Sequence, residues 1–307
     1  MLDINHLKEQ YLNFCQYQKR LNGKTLKAYK IDLRQFFEFL SKTDGDLNKI
    51  NLSCYITELH KLYKPKSVKR KIACLKAFCN YLTYEEIIEK NPFDKIIVKF
   101  QEPFLLPKTI SLDNIQKILT TAYDELKYKK LTAYQRNTLL RDIAVLELLF
   151  ATGIRVSELC SLNADDVNLE NGTVKIFGKG SKERIIQIEN SEVIDTLKKY
   201  KHTFYDKIQD AGCFFINKLN TRLSEQSVRF MIKKYVKNAD VHQHITPHMF
   251  RHSFASLLLE EDVDIRFIQQ LLGHSSIVTT QIYTHITPNK QKCILSAKHP
   301  RNRLTSR

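Results

Sequence analysis

RDIAVLELLFATGIRVSEL, residues 141–159, holds the break on which the fold turns. Ile143, Val145, Leu146, Leu148, Leu149 and Phe150 crowd a helix predicted over 137–151. Gly153 then stops that helix, and Arg155 follows the turn directly. A guanidinium held by a rigid turn grips a phosphate with two parallel hydrogen bonds, which a lysine cannot match. A structural salt bridge is the other reading of Arg155. Downstream the period changes from helical to alternating. Thr173–Phe177 and Arg184–Ile188 read as two short strands, joined by the glycine-rich turn Gly178-Lys179-Gly180-Ser181-Lys182-Glu183. Helices return at about 190–203, 224–237, 247–260, 264–272 and 276–285, and another precedes the quoted stretch at 111–127. The class is mainly α with a small antiparallel sheet.

Upstream, the first hundred residues read as helix after helix. Over Lys24–Leu40 the apolar positions Leu26, Tyr29, Leu33, Phe36, Phe37 and Leu40 make one buried face. Lys24, Lys27, Lys30 and Arg34 lie off it. A second helix after Pro65 turns Val68, Ile72, Leu75, Phe78 and Leu82 inward and leaves Lys66, Lys69, Arg70, Lys71 and Lys76 elsewhere. Lysines on exposed faces solubilise any protein, but two helices with cationic faces also suit DNA contact. Asn91-Pro92 closes this region, since proline disfavours helix at the residue before it. An extended stretch with Pro103 and Pro107 follows. Two domains result: 1–95, a linker over 96–108, and 109–307, ending in a basic tail, 288–307.

The chain carries 49 Lys and Arg against 33 Asp and Glu, a formal charge of +16. Residues 1–106 hold 19 basic and 12 acidic side chains, so both halves are basic. An excess spread this way answers to a polyanion gripped from two sides, although a solvated lysine-rich surface has the same composition. The seven cysteines form no CxxC pair and sit mostly among apolar neighbours, as buried reduced thiols would. The first residues show no basic-then-apolar leader pattern, and no apolar run approaches about 18 residues. A cytoplasmic protein without a membrane partner is expected.

Three further segments carry chemistry that packing does not require. Lys179 lies between two glycines that let backbone approach a ligand closely, though a turn lysine alone is ordinarily inert. In Thr246-Pro247-His248-Met249-Phe250-Arg251-His252, Thr246 suits an N-cap and Pro247 the first helical position. His248 then sits in a first turn that favours anions, with Arg251 three residues on along the same face. His248 and His252 are also four apart, as zinc ligands can be, but no HExxH glutamate or third ligand accompanies them. In the last segment Gly273 ends a helix before His274, and Tyr283 lies on or just past the next one.

Taken together, ATGIRVSEL, GKGSKER, TPHMFRHSFAS and LLGHSSIVTTQIYTH resemble the signature of the tyrosine recombinase (phage integrase) family, and most closely its short Xer-type enzymes. TLKAYKIDLRQFFEFL is similar to that family's helical core-binding domain, so the resemblance spans essentially the whole chain. It implies a SAM-like N-terminal domain and a catalytic domain closing as a C-shaped clamp on DNA. It further implies a nucleophile, Tyr283, that forms a 3′-phosphotyrosine, with Arg155 and Arg251 clamping the phosphate. Lys179 would be the general acid, His248 the base, and His274 would complete the phosphate's hydrogen bonds. No cofactor is expected: neither metal nor ATP. DNA contacts are expected at Lys24, Lys27, Lys30, Lys66, Lys69 and Arg70. The partner implied is double-stranded DNA with a specific recombination site, bound by a homotetramer or by a heterotetramer with a related recombinase.

The segment Tyr128–Asn137 is longer than Xer-type enzymes usually have, which leaves the biological role open. Chromosome-dimer resolution, mobile-element integration and transposon resolution all fit. A type IB topoisomerase shares the chemistry without needing a defined site. An inactive DNA-binding protein would have no use for Tyr283 or Lys179.

Overall fold

The computed structural model describes residues 4–43, 45–98, 108–128, 130–178, 183–273 and 288–303. The chain divides into two compact units, Met1–Leu105 and Leu106–Arg307, each with its own hydrophobic core.

In the first unit α1 (Ile4–Asn13) runs into a π-helical turn (Phe14–Gln18), followed by α2 (Gly23–Leu40), α3 (Lys49–Leu62) and α4 (Pro65–Tyr84). Asn22 caps α2 by accepting the Thr25 N–H at 2.9 Å, and Asn48 caps α3 from Asn51 at 2.9 Å. Pro65 opens α4, where its missing N–H costs nothing. The expected stripes point inward. Leu33, Phe36 and Leu40 of α2 meet Val68, Ile72, Leu75, Phe78 and Leu82 of α4 in one buried cluster. Ile96 and Val98, placed in the linker by sequence, pack against this same core.

One helix face was misread. Lys71 is buried rather than solvent-facing, and its ammonium donates to Asp32 at 3.0 Å and to Gln35. Asp32 is itself only 1% exposed. A buried carboxylate must be paired, so α4 turns Lys71 inward to meet it. Arg70, beside it, also donates to Asp32.

The second unit is built around α6 (Ala133–Thr152), whose residues 142–152 are all buried. A capping box starts this helix: the Thr132 hydroxyl accepts from the Gln135 N–H at 3.2 Å, and the Gln135 side chain accepts from the Thr132 N–H at 2.9 Å. Half of the long 128–137 segment is therefore the opening of α6. Around it pack α5 (Leu112–Tyr128), α8 (Ser191–Thr203), α10 (Glu225–Asn238) and α11 (Pro247–Glu260). Short helices α7 (Val156–Ser161), α9 (Tyr205–Ala211) and α12 (Ile265–Leu272) fill the ends. The sheet is an antiparallel meander of β1 (Val167–Asn168), β2 (Thr173–Phe177) and β3 (Glu183–Gln187). Val174 faces Ile186 across the β2–β3 pair, and Val174, Ile176 and Ile186 point to the core.

The described part of the tail, residues 288–303, packs against its own domain. Helix α13 (Pro288–Lys298) leads to a 3₁₀ turn (Pro300–Arg303). Arg301 is 1% exposed and donates to Glu147 of α6 at 3.0 Å and to Glu192 of α8 at 2.6 Å. His299 is buried, bonded to the Ala151 carbonyl, and its Nδ1 accepts the Arg301 N–H at 2.9 Å. Among the described residues no helix is long and apolar enough to cross a membrane.

Candidate active site

The turn after α6 works as the sequence predicts. Gly153 ends the helix in the left-handed region, φ +59. A Cβ there would lie 2.7 Å from the Phe254 ring and 3.0 Å from a Leu272 methyl, so only glycine fits. Arg155 caps α7. The salt-bridge reading of Arg155 holds, since it forms an ion pair with Glu158 at 2.8 Å, while its side chain stays one-third exposed. Its Nη2 also donates to the Gly273 carbonyl at 3.4 Å.

Helix α11 supplies the second arginine. Pro247 occupies the first turn, but the Thr246 side chain makes no capping bond. His248 is exposed, whereas Arg251 is 4% exposed and turned into the protein. Its Nη1 donates to the Gly153 carbonyl at 3.0 Å and its Nη2 to the Leu272 carbonyl. Burial first, and then the positive charge of Arg155, pull the Arg251 guanidinium down to about 9. It remains charged at neutral pH, and an anion between the two arginines would relieve both strains. His252 is likewise lowered, by burial and then by His248 and Arg251, which places all three groups in one electrostatic neighbourhood.

Sequence reasoning missed two participants. Glu158 is 5% exposed, and Oε2 accepts the Arg155 N–H at 2.9 Å. The second is Arg184 of β3, whose fork donates to Glu158 Oε1 at 3.1 Å and Oε2 at 2.8 Å, while Nε donates to the Leu271 carbonyl at 2.9 Å. Glu158 was readable as an N3 glutamate three residues after a turn. Arg184 had no local signal, because its partners are distant in sequence.

Three guanidiniums thus close on the last carbonyls of α12: Arg184 on Leu271, Arg251 on Leu272 and Arg155 on Gly273. Cations belong at that negative helix end. Three positive charges against the carboxylate of Glu158 leave a surplus, and its most exposed member is Arg155, one-third exposed. The arrangement suits an oxyanion such as phosphate. Burial raises the Glu158 carboxyl, but the Arg184 hydrogen bonds, with those of Arg155, win and hold it below the usual range.

Lys179, His274 and Tyr283 lie outside the described residues. So does the helix expected at 276–285. Of the residues expected to touch DNA in the first unit, Lys24, Lys27, Lys30, Lys66 and Lys69 are exposed, and Arg70 is held by Asp32. No group of three His, Cys, Asp or Glu side chains is arranged to hold a metal among the described residues. Among the described side chains, five cysteines are buried, as their neighbours suggest, but Cys54 is exposed.

Two family models match this chain: the phage integrase family over residues 108–290, and the phage integrase N-terminal SAM-like domain over residues 9–86. A tyrosine recombinase of Agathobacter rectalis is 55% identical over 292 residues, covering 95% of each chain. The tyrosine recombinase XerC of Thermodesulfovibrio yellowstonii is 38% identical, covering 94% of this chain and 95% of its own. Among solved structures, a XerH site-specific recombinase bound to its difH substrate shares the fold, with a TM-score of 0.69 at 22% identity, covering 91% of this chain and 82% of that one. With both family models matched and relatives this similar over nearly their full length, the chain belongs to the phage integrase family of tyrosine recombinases, with Xer-type enzymes among its relatives.

Proposed function

We propose that this chain is a site-specific DNA recombinase that cuts and rejoins strands through a 3′-phosphotyrosine on Tyr283. The reading is carried by the gathering of Arg155 and Arg251 at the end of α12, immediately before His274 and ten residues before Tyr283.

Attack of the Tyr283 hydroxyl on phosphorus builds negative charge on the non-bridging oxygens. Guanidiniums already held by peptide carbonyls stabilise that charge with little reorganisation. A tyrosyl hydroxyl ionises only near pH 10 in water, so it needs a base and cationic surroundings. His248, exposed on the first turn of α11, takes its proton. The bond from phosphorus to the 5′ oxygen breaks, Lys179 protonates that oxygen, and His274 completes the phosphate's hydrogen bonds. The phosphodiester energy stays in the phosphotyrosine, so a 5′ hydroxyl of a second strand reverses the step without ATP. The arginines supply the positive charge, so the step asks for no metal. Four protomers act on two sites, as a homotetramer or with a related recombinase, and Lys24, Lys27, Lys30, Lys66, Lys69 and Arg70 help to hold the duplex.

The test begins with nicked duplexes of randomised sequence offered to the wild-type protein. Those recovered as covalent adducts on a denaturing gel define its site. Tyr283→Phe is expected to bind the captured duplex and to form no adduct. An adduct surviving in that variant would remove Tyr283 from its role.

A further inference from the structure

We propose that Arg184 is a positioning residue for strand cleavage: by sharing Glu158 with Arg155, it keeps the Arg155 guanidinium placed and electrostatically free to receive the scissile phosphate. This rests on the cleavage chemistry proposed above and adds a residue to it.

Glu158 is the shared element. Each of its oxygens takes one bond from Arg184 and one from Arg155: Oε1 from Arg184 Nη1 at 3.1 Å and Arg155 Nη1 at 2.8 Å, Oε2 from Arg184 Nη2 at 2.8 Å and the Arg155 peptide N–H at 2.9 Å. Four bonds fill the accepting capacity of a carboxylate that is only 5% exposed. The geometry therefore fixes the side chain of Arg155 as well as the peptide that carries it.

Charge sharpens the point. Arg155 and Glu158 alone would be a neutral pair, and a phosphate would gain little from a guanidinium already neutralised. With Arg184 on the same carboxylate, the trio carries one net positive charge, and that charge is presented on the partly exposed member, Arg155. Arg184 does not touch the substrate itself. Its side chain is 13% exposed, and its Nε, Nη1 and Nη2 are all engaged by protein acceptors.

The position of Arg184 in the fold extends its reach. It sits on β3 opposite Ile176, three residues before Lys179 on the facing strand. Its Nε bond to the Leu271 carbonyl ties that hairpin to the end of α12. Gly273 completes the fit: it is left-handed, φ +65, and an added Cβ would come 3.0 Å from Arg184 Nη1. One side chain thus ties together the hairpin bearing Lys179, the cap that holds Arg155 and the helix end that precedes His274.

The experiment measures single-turnover adduct formation on the duplex captured by the wild-type protein, alongside duplex affinity. Arg184→Gln is expected to bind within about threefold of wild type but to cleave roughly a hundredfold slower, the scale of losing one preorganised charge contact. Arg184→Lys keeps the charge but loses the fork, and should fall between the two. The decisive variant is Arg184→Gln with Glu158→Gln. Removing the carboxylate frees Arg155 again, so cleavage should recover at least about fivefold over Arg184→Gln alone, a gain that a purely structural role does not produce. A double variant no faster than Arg184→Gln overturns the proposal, as does an Arg184→Gln protein that cleaves within about twofold of wild type. If the wild-type protein captures no duplex at all, the cleavage chemistry itself fails and this role falls with it.

Discussion

Gly153 is where backbone geometry and chemistry meet in one residue. Its left-handed φ ends α6, its missing Cβ admits Phe254 and Leu272, and its carbonyl receives Arg251. Gly153→Ala combines a strained left-handed alanine with a contact that must give way. Urea unfolding of the second unit should show a loss of roughly 2–5 kcal/mol, and a loss under about 0.5 kcal/mol would contradict the geometry. At this scale the sequence was informative where a residue had few other uses. A glycine after an apolar helix and an arginine after a proline-led turn both sit where they were expected. It was silent where the partner is remote. Nothing near Arg184 announces that its carboxylate lies 26 residues back and its carbonyl 87 residues ahead. Lys71 misled for the same reason, since the carboxylate that draws it inward, Asp32, belongs to a different helix.

Among the elements, long amphipathic helices and the β2–β3 hairpin were legible because their periods repeat often enough to be seen. Helix α3 carries a weaker period: Asn51, Ser53 and Thr57 interrupt its apolar face, and the buried Asn51 donates to the Asp46 carbonyl at 2.8 Å. The two residues of β1 and the seven of α9 are too short to carry a period. The docking of the tail was not legible at all. That docking should depend on pH. Burial, more than the Arg301 charge, pulls His299 down to about 4, against a partial lift from its bond to Ala151. Undocked, the imidazole returns to its ordinary 6.5. Between those values the undocked state holds a proton that the docked state refuses. The seat is therefore at full strength above pH 6.5 and loses up to a few kcal/mol as pH falls toward 4. Hydrogen exchange over 288–303, referenced to α6 amides, should accelerate across that window in wild type and stay flat in His299→Asn. Equal slopes in the two proteins would rule the imidazole out.

For the whole molecule, the +16 charge is spread over two units with separate cores, and a local cluster at the candidate site accounts for only part of it. Most of the surplus is exposed lysine, which binds a polyanion by releasing its counterions. Duplex affinity should therefore drop roughly a thousandfold between about 50 and 200 mM salt. A drop under about tenfold would mean that few of these lysines meet phosphate. The seated tail carries a different consequence. Pulling Arg301 out would take from Glu147, a carboxylate with no exposure to water, its buried cation and leave it the Tyr123 hydroxyl at 2.9 Å. Trading a buried ion pair for a neutral donor costs free energy, so the last described turn of the chain also braces the central helix.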